Sequence, residues 1–359
     1  MTLTLVAAGR PASAIRTADI PTERENRSTR PPRPPILATV LTPDQIARRT
    51  ARAVDAAAAA GRDLGLPVDD PRVLYDVFSV IVHLAPASVV VRVPTVFPRS
   101  ASLERQTARQ RSEISVAGWL ADRGHPVVAP SPLVPREPVQ REGFSMTFWQ
   151  YVEEVPDEPD VGRRFEMVAR LHSALREYDG SGLGFWAPFN DYIPGGLAEL
   201  EERPDLLSPT DHQRAQREWS LIAPLLASGD AFEAAFPGAD VQTIHGDAPF
   251  HNLIFTAAGA MWSDFELVTT GPVESDLVMA GADGVAAYSE AAARLGLRPV
   301  DERALRVTEA AGLLAAVACL SMAPRLPMLV DAVKPVLDQW RAAPSIAEVI
   351  SPPGGRRAR

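Results

Sequence analysis

One stretch constrains this chain more than any other: Thr243-Ile244-His245-Gly246-Asp247-Ala248-Pro249-Phe250-His251-Asn252-Leu253-Ile254-Phe255, followed by Met261-Trp262-Ser263-Asp264-Phe265-Glu266. Two short apolar strands, 252–255 and 261–264, flank Thr256-Ala257-Ala258-Gly259-Ala260. A hairpin centred on Ala258 sets Asn252 opposite Asp264. Opposed residues in an antiparallel pair have Cβ atoms about 5 Å apart. An amide oxygen and a carboxylate at that separation can share one Mg²⁺, which holds ligands at about 2.1 Å and takes the rest of its oxygens from water and phosphates. Asp247 lies in the loop that enters the hairpin and is placed to meet a substrate hydroxyl at the metal's edge. Phosphoryl transfer needs this arrangement, because the protein mainly positions the nucleophile and neutralises charge. The plain alternative is a tight turn ahead of a buried hairpin.

A chain of 359 residues, 46% hydrophobic and 23% charged, has enough apolar surface for one large domain or two lobes with real cores. The net charge of -9 argues against a nucleic-acid partner, which normally calls for a basic surplus on one face. A single cysteine, Cys319, rules out a disulfide framework or a cysteine-ligated metal and points to a cytoplasmic protein. No run of about 18 apolar residues suggests a membrane span. No protein partner is inferred. The basic residues are almost all arginine, and the only lysine is Lys334.

Residues 1–44 read as a disordered leader, rich in Pro, Arg, Ser and Thr and containing Pro31-Pro32-Arg33-Pro34-Pro35. Thr42-Pro43-Asp44 can start a helix that runs through alanines to Gly61. After Pro67 the pattern turns to strand, and 79–84 with 89–93 read as an antiparallel hairpin. A helix spans 103–122, and a further strand, 144–152, ends in the acidic stretch 153–160, a hinge to a helical second part. Helices are expected around Met167 to Leu175 and over 195–202, 211–227, 277–295, 302–322 and 326–342. The expected division is a first lobe over 45–150, a second over 151–345 and a flexible tail over 346–359.

His245-Gly246-Asp247, with Asn252 five residues after the Asp and Asp264-Phe265-Glu266 beyond, resembles the catalytic loop and metal-binding motif of the aminoglycoside phosphotransferase and choline kinase families. The resemblance implies an α+β, bilobal protein-kinase-like fold with a small β-rich lobe and a larger helical one. It also implies ATP as phosphoryl donor, with GTP left open, Mg²⁺, and a small-molecule hydroxyl acceptor. Asp247 would be the base or orienting group, and Asn252 and Asp264 the metal ligands. His245 would brace the loop, and Asp276 would support it from below. His172 resembles a helix residue that packs under the loop.

In the first lobe the family places a basic residue on the third strand against the nucleotide phosphates, paired with a helix Glu. Arg92 in Val89-Val90-Val91-Arg92-Val93 matches that position, and its fork suits phosphate oxygens. Its alternative role is an outward strand charge. Glu113 shares a helical face with Val116, Ala117 and Leu120 and is a better partner than Glu104, which faces Thr107, Ala108 and Arg111. The chain departs from the family by having no glycine between Leu66 and Ser79. Tyr75 to Ser79 can form the phosphate-side turn, with Ser79 supplying a hydroxyl. Trp149, Tyr151 and Val152 are candidates for the adenine-binding hinge, with core packing as the alternative. Glu266 is expected to cap a turn or reach the metal through water, and the acidic run 153–160 either attracts a cationic acceptor or is a solvated face.

Two rivals follow. A protein kinase is disfavoured because twelve positions separate Asp264 from Asp276, leaving no room for a long activation segment. A catalytically inactive nucleotide-binding protein is suggested by the missing glycines and by Arg92.

Overall fold

A computed structural model describes residues 40–156 and 160–350; residues 1–39 of the expected leader and 351–359 of the expected tail lie outside the described residues. Among the described residues the first helix is capped by Thr42, whose hydroxyl accepts from the Gln45 amide while the Gln45 side chain accepts from the Thr42 amide, a reciprocal cap on α1 (Pro43–Asp63). The leader boundary drawn at residue 44 therefore falls inside this helix.

Five antiparallel strands follow: β1 (Val68–Asp76), β2 (Ser79–Pro86), β3 (Val89–Pro94), β4 (Val139–Arg141) and β5 (Phe144–Gln150), in the order β1-β2-β3-β5-β4. Period-two alternation sends Val80, Val82, Leu84, Val89, Val91 and Val93 into a core with Ala53, Ala56, Ala57 and Ala60 of α1. Alanine is what allows α1 to lie close on the sheet. Arg92, next to Val91, consequently faces the other way. On that side lies α2 (Leu103–Asp122), capped by Ser102.

The second lobe contains α3 (Val161–Leu175), α4 (Ala187–Glu201), α5 (Pro209–Ile222) and α6 (Gly229–Ala235). Four short strands come next, β6 (Val241–Ile244), β7 (Leu253–Thr256), β8 (Gly259–Trp262) and β9 (Thr269–Pro272). The chain closes with α7 (Gly281–Arg294), α8 (Glu302–Cys319), α9 (Leu329–Ala342) and α10 (Ile346–Ile350). β6 pairs with β9 and β7 with β8, so the loop between β6 and β7 is held at both ends by separate ladders. The segment Glu302–Met322 is long and apolar enough to cross a membrane, but 67% of it is buried, as suits the central helix of a packed lobe.

Three sequence expectations need correction. α4 begins at Ala187 rather than 195, with Pro188 in its first turn, and Pro194-Gly195-Gly196 lies inside it. A Cβ on Gly196 would stand 2.6 Å from the Ala318 carbonyl, so the glycine is what lets α4 cross α8. Ile346, placed in a flexible tail, is buried in α10. The third correction concerns the hairpin. It turns on Ala257-Ala258, with Thr256 opposite Gly259 and Leu253 opposite Trp262, one residue away from the expected register. The Thr256 hydroxyl accepts from Ala258 N at 3.2 Å and donates to Gly259 O at 2.8 Å, closing a two-residue loop. Ser263, not Asp264, therefore lies across from Asn252, its amide donating to the Asn252 carbonyl at 2.9 Å.

Candidate active site

The loop from His245 to Asn252 is shaped from beneath by one buried carboxylate. Asp276 Oδ2 accepts from the His245 amide at 2.9 Å and Oδ1 from the Gly246 amide at 2.7 Å. His172 of α3 brings Nε2 to 3.0 Å from Asp276 Oδ2 and Nδ1 to 2.9 Å from the Tyr288 hydroxyl of α7. With Nε2 donating to the carboxylate, Nδ1 is the end left to meet the Tyr288 hydroxyl. Burial works to raise the Asp276 pKa, but the hydrogen bonds from the His172 side chain and the His245 amide outweigh it and hold the carboxyl below its usual range. Two helices and the loop thus share one anchor.

Gly246 has φ +85°, and a Cβ there would fall 2.3 Å from the Leu267 carbonyl, so no other residue fits. The His245 ring is buried, and burial lowers its pKa, keeping it neutral. Its Nε2 donates to the Ser263 carbonyl at 3.0 Å, tying the loop to the strand end before Asp264.

Asp247 follows at the mouth of the loop. Burial, with the nearby Asp264 charge adding to it, raises its pKa well above the carboxylate range, opposed by a hydrogen bond from Asn252. Asn252 is buried, and its Nδ2 donates to the Asp247 carbonyl at 2.7 Å. The amide oxygen is the end left to accept a cation. Asp264, two residues beyond β8 at the start of a short 3-10 turn, lies in the left-handed region, φ 57° and ψ 58°, which turns its side chain out of the strand's alternation. That turn compensates for the one-residue shift in register, because Asp264 still reaches the electrostatic neighbourhood of Asp247.

Arg92 enters from the sheet lobe with its side chain 6% exposed and meets three carboxylates. Its Nε lies 3.3 Å from Asp264 Oδ1, its Nη1 lies 3.5 Å from Glu113 Oε2, and its Nη2 donates to Glu266. Burial opposes its charge, but Asp264 and Glu113 hold the guanidinium protonated. Burial pushes Glu113 up to about 7 despite Arg92, as expected for a carboxyl with a long contact and one buried oxygen lacking a hydrogen bond. Glu104 is exposed.

Ser79, Arg92, Arg109, Glu113, Tyr192 and Glu266 line a cavity of about 30 Å³ between the lobes. Ser79 thus stands beside Arg92. The hinge candidates lie otherwise: Trp149 is buried in an apolar cluster with its Nε1 donating to Thr147 Oγ1 at 2.8 Å. Tyr151 stacks on His83 at 4.1 Å, its amide donating to the Ser88 carbonyl, and Val152 packs against the same cluster as Trp149.

Sequence reasoning missed Glu266 as a partner of Arg92, and it missed Arg109 and Tyr192. Arg109 sits one turn before Glu113, so its shared face was readable. Tyr192 gave no signal, since it arrives on a helix of the other lobe.

Among the described residues, no three His, Cys, Asp or Glu side chains gather into a metal site. Asn252 and Asp264 nevertheless fit Mg²⁺, which commonly takes one or two protein oxygens and completes its shell with phosphate and water.

These features define a two-lobed kinase-like chain with its candidate loop, His245 to Asn252, in the helical lobe. A family model, the phosphotransferase enzyme family, matches residues 74–308, and the chain belongs to that family. Among solved structures, choline kinase LicA from Streptococcus pneumoniae is similar with a TM-score of 0.55 and 14% identity, covering 80% of this chain and 99% of that one. The GDP complex of aminoglycoside 2'-phosphotransferase-IIIa has a TM-score of 0.55 and 13% identity, with 82% and 98% covered. A choline/ethanolamine kinase family protein from Mesorhizobium loti has a TM-score of 0.51 and 17% identity, with 84% and 98% covered. At these identities the likeness establishes the fold. Comparison with curated proteins gives no match.

Proposed function

We propose that this protein is a small-molecule kinase that moves the γ-phosphoryl group of a nucleoside triphosphate, ATP in the first instance, to a hydroxyl of a small acceptor. The observation that carries the reading is the loop itself: Asp276 grips the amides of His245 and Gly246, and Asn252 grips the carbonyl of Asp247, fixing one carboxylate at the cleft mouth. A carboxylate fixed in that way can orient an acceptor hydroxyl and take its proton as the new P–O bond forms. Asn252 and Asp264 would hold Mg²⁺, which supplies charge neutralisation at the phosphate oxygens when bound. Arg92, with Ser79 beside it, would contact the phosphates, and Glu113 would keep the guanidinium in place.

Three carboxylates on Arg92 favour a second reading, a nucleotide-binding protein without turnover. The two are separated by measuring ATP and GTP turnover with Mg²⁺ across aminoglycosides, amino alcohols and sugars, alongside Asp247→Ala and Asp264→Ala. Acceptor-dependent turnover that falls about 10²- to 10⁴-fold in Asp247→Ala supports the kinase. Nucleotide binding without turnover for any acceptor supports the second reading.

A further inference from the structure

Three segments of the sheet lobe are docked on α4 of the helical lobe across the mouth of the candidate site. Phe78, at the glycine-free turn between β1 and β2, is 5% exposed and belongs to one packed cluster with Trp186, Phe189, Ile193 and Leu267. Val96, beyond β3, joins the same cluster, and the amides of Thr95 and Val96 both donate to the Phe78 carbonyl at 2.9 Å. Next, the Arg99 amide donates to Glu199 of α4 at 2.9 Å, and a Cβ on Gly195 would lie 2.5 Å from Ser100 Oγ. Last, Arg109 of α2 pairs with Asp191 of α4 at 2.7 Å and lies over the Tyr192 ring at 4.3 Å, while Arg105 reaches Asp191 at 3.4 Å. Behind these contacts Arg92 is spent on Asp264, Glu113 and Glu266, and the cavity of about 30 Å³ lies beside it.

We propose that the protein holds its own cleft shut: Phe78 and the Arg109–Asp191–Tyr192 clamp pin the phosphate-side turn and α2 to α4, so nucleotide enters only after the lobes part. This inference rests on the kinase reading for the identity of the ligand, but the closure itself stands on the contacts. An apolar turn serves the purpose where a glycine-rich one would not, because Phe78 gives the turn an anchor in the other lobe. Closure lowers apparent nucleotide affinity by the fraction of molecules that are open, so loosening the clamp raises it. Asp191 is well suited to a test, since its side chain is 40% exposed and its replacement leaves the core intact.

The experiment follows backbone hydrogen exchange of the full chain without ligand, and in parallel stopped-flow binding of a fluorescent ATP analogue with Mg²⁺. Wild type is compared with Asp191→Asn and Phe78→Ala. The expected result is slow exchange over Thr95 and Val96 in the wild type, loosened about tenfold in both variants, with β3 protected throughout and the analogue binding about tenfold faster. Fast exchange in the wild type, or variants with unchanged exchange, overturns the proposal. Loosened exchange with faster binding supports it; loosened exchange with no nucleotide bound by any variant leaves the clamp standing and sinks the kinase reading instead.

Discussion

The catalytic loop and the sheet lobe reach the same cleft by different routes. From Ile244 to Asp264 the candidate chemistry is carried by one short stretch, and its three polar side chains Asp247, Asn252 and Asp264 are placed by local strands and a single buried anchor. The proposed grip on the phosphates would draw instead on Ser79, Arg92, Glu113, Glu266 and Tyr192, which belong to separate elements of both lobes. Local placement leaves a spacing that can be read from sequence. Assembly from distant elements leaves only residue types, several of which fit.

The contrast can be broken at the loop's anchor. Asp276→Ala removes the acceptor for two buried amides and for His172, and the expected loss is about 3–5 kcal/mol of stability. Chemical denaturation measures this directly, and a loss under 1 kcal/mol would show that the loop is held by something else. Gly246→Ala comes next at about 3 kcal/mol, combining a left-handed φ with a clash against Leu267 O. A crystal structure of that variant with the loop unmoved would contradict the argument.

A third test concerns Glu274, beneath the loop, whose carboxyl burial pushes up from 4.5 to about 7. The folded state then binds the proton more tightly than the unfolded chain. This group's stabilisation is fully present below pH 4.5 and is lost as pH rises through 7. Glu274→Gln keeps an acceptor for the Asp301 amide and should remove that slope, making the protein up to about 3 kcal/mol more stable than wild type at pH 8. Thermal melts from pH 4 to 8 that run parallel for the two proteins would refute it.

The smallest effects fall on the sheet lobe and test whether its dispersed grip is real. Glu113→Gln should lower turnover about tenfold by weakening the hold on Arg92, while Glu104→Gln, exposed on the same helix, should leave it unchanged. Equal effects at both positions would erase the distinction.

Much of the frame was legible. The β2–β3 hairpin, the helix 103–122 and the cap at Thr42 follow from alternation, from Ser and Thr placed before apolar periods, and from Pro at a first helical position. Arg92 could be singled out from the family resemblance of its strand and Glu113 from its helical face, and the structure brings them together at 3.5 Å. The hairpin register was misjudged because a two-residue loop closed by the Thr256 side chain and one centred on Ala258 differ by a single step. The start of α4 was hidden because proline and glycine normally end helices, and only its crossing with α8 gives Gly196 a reason to be there.

By itself the sequence determined the family, the β2–β3 hairpin, the helix 103–122 and the spacing of Asp247, Asn252 and Asp264, since each depends on neighbours a few positions apart. The tertiary structure alone decided that Glu266 joins Arg92, that Asp264 turns back into the site, and that Phe78 anchors the sheet lobe on α4. Those contacts join residues brought near only by the packing of the two lobes, and no local periodicity records them.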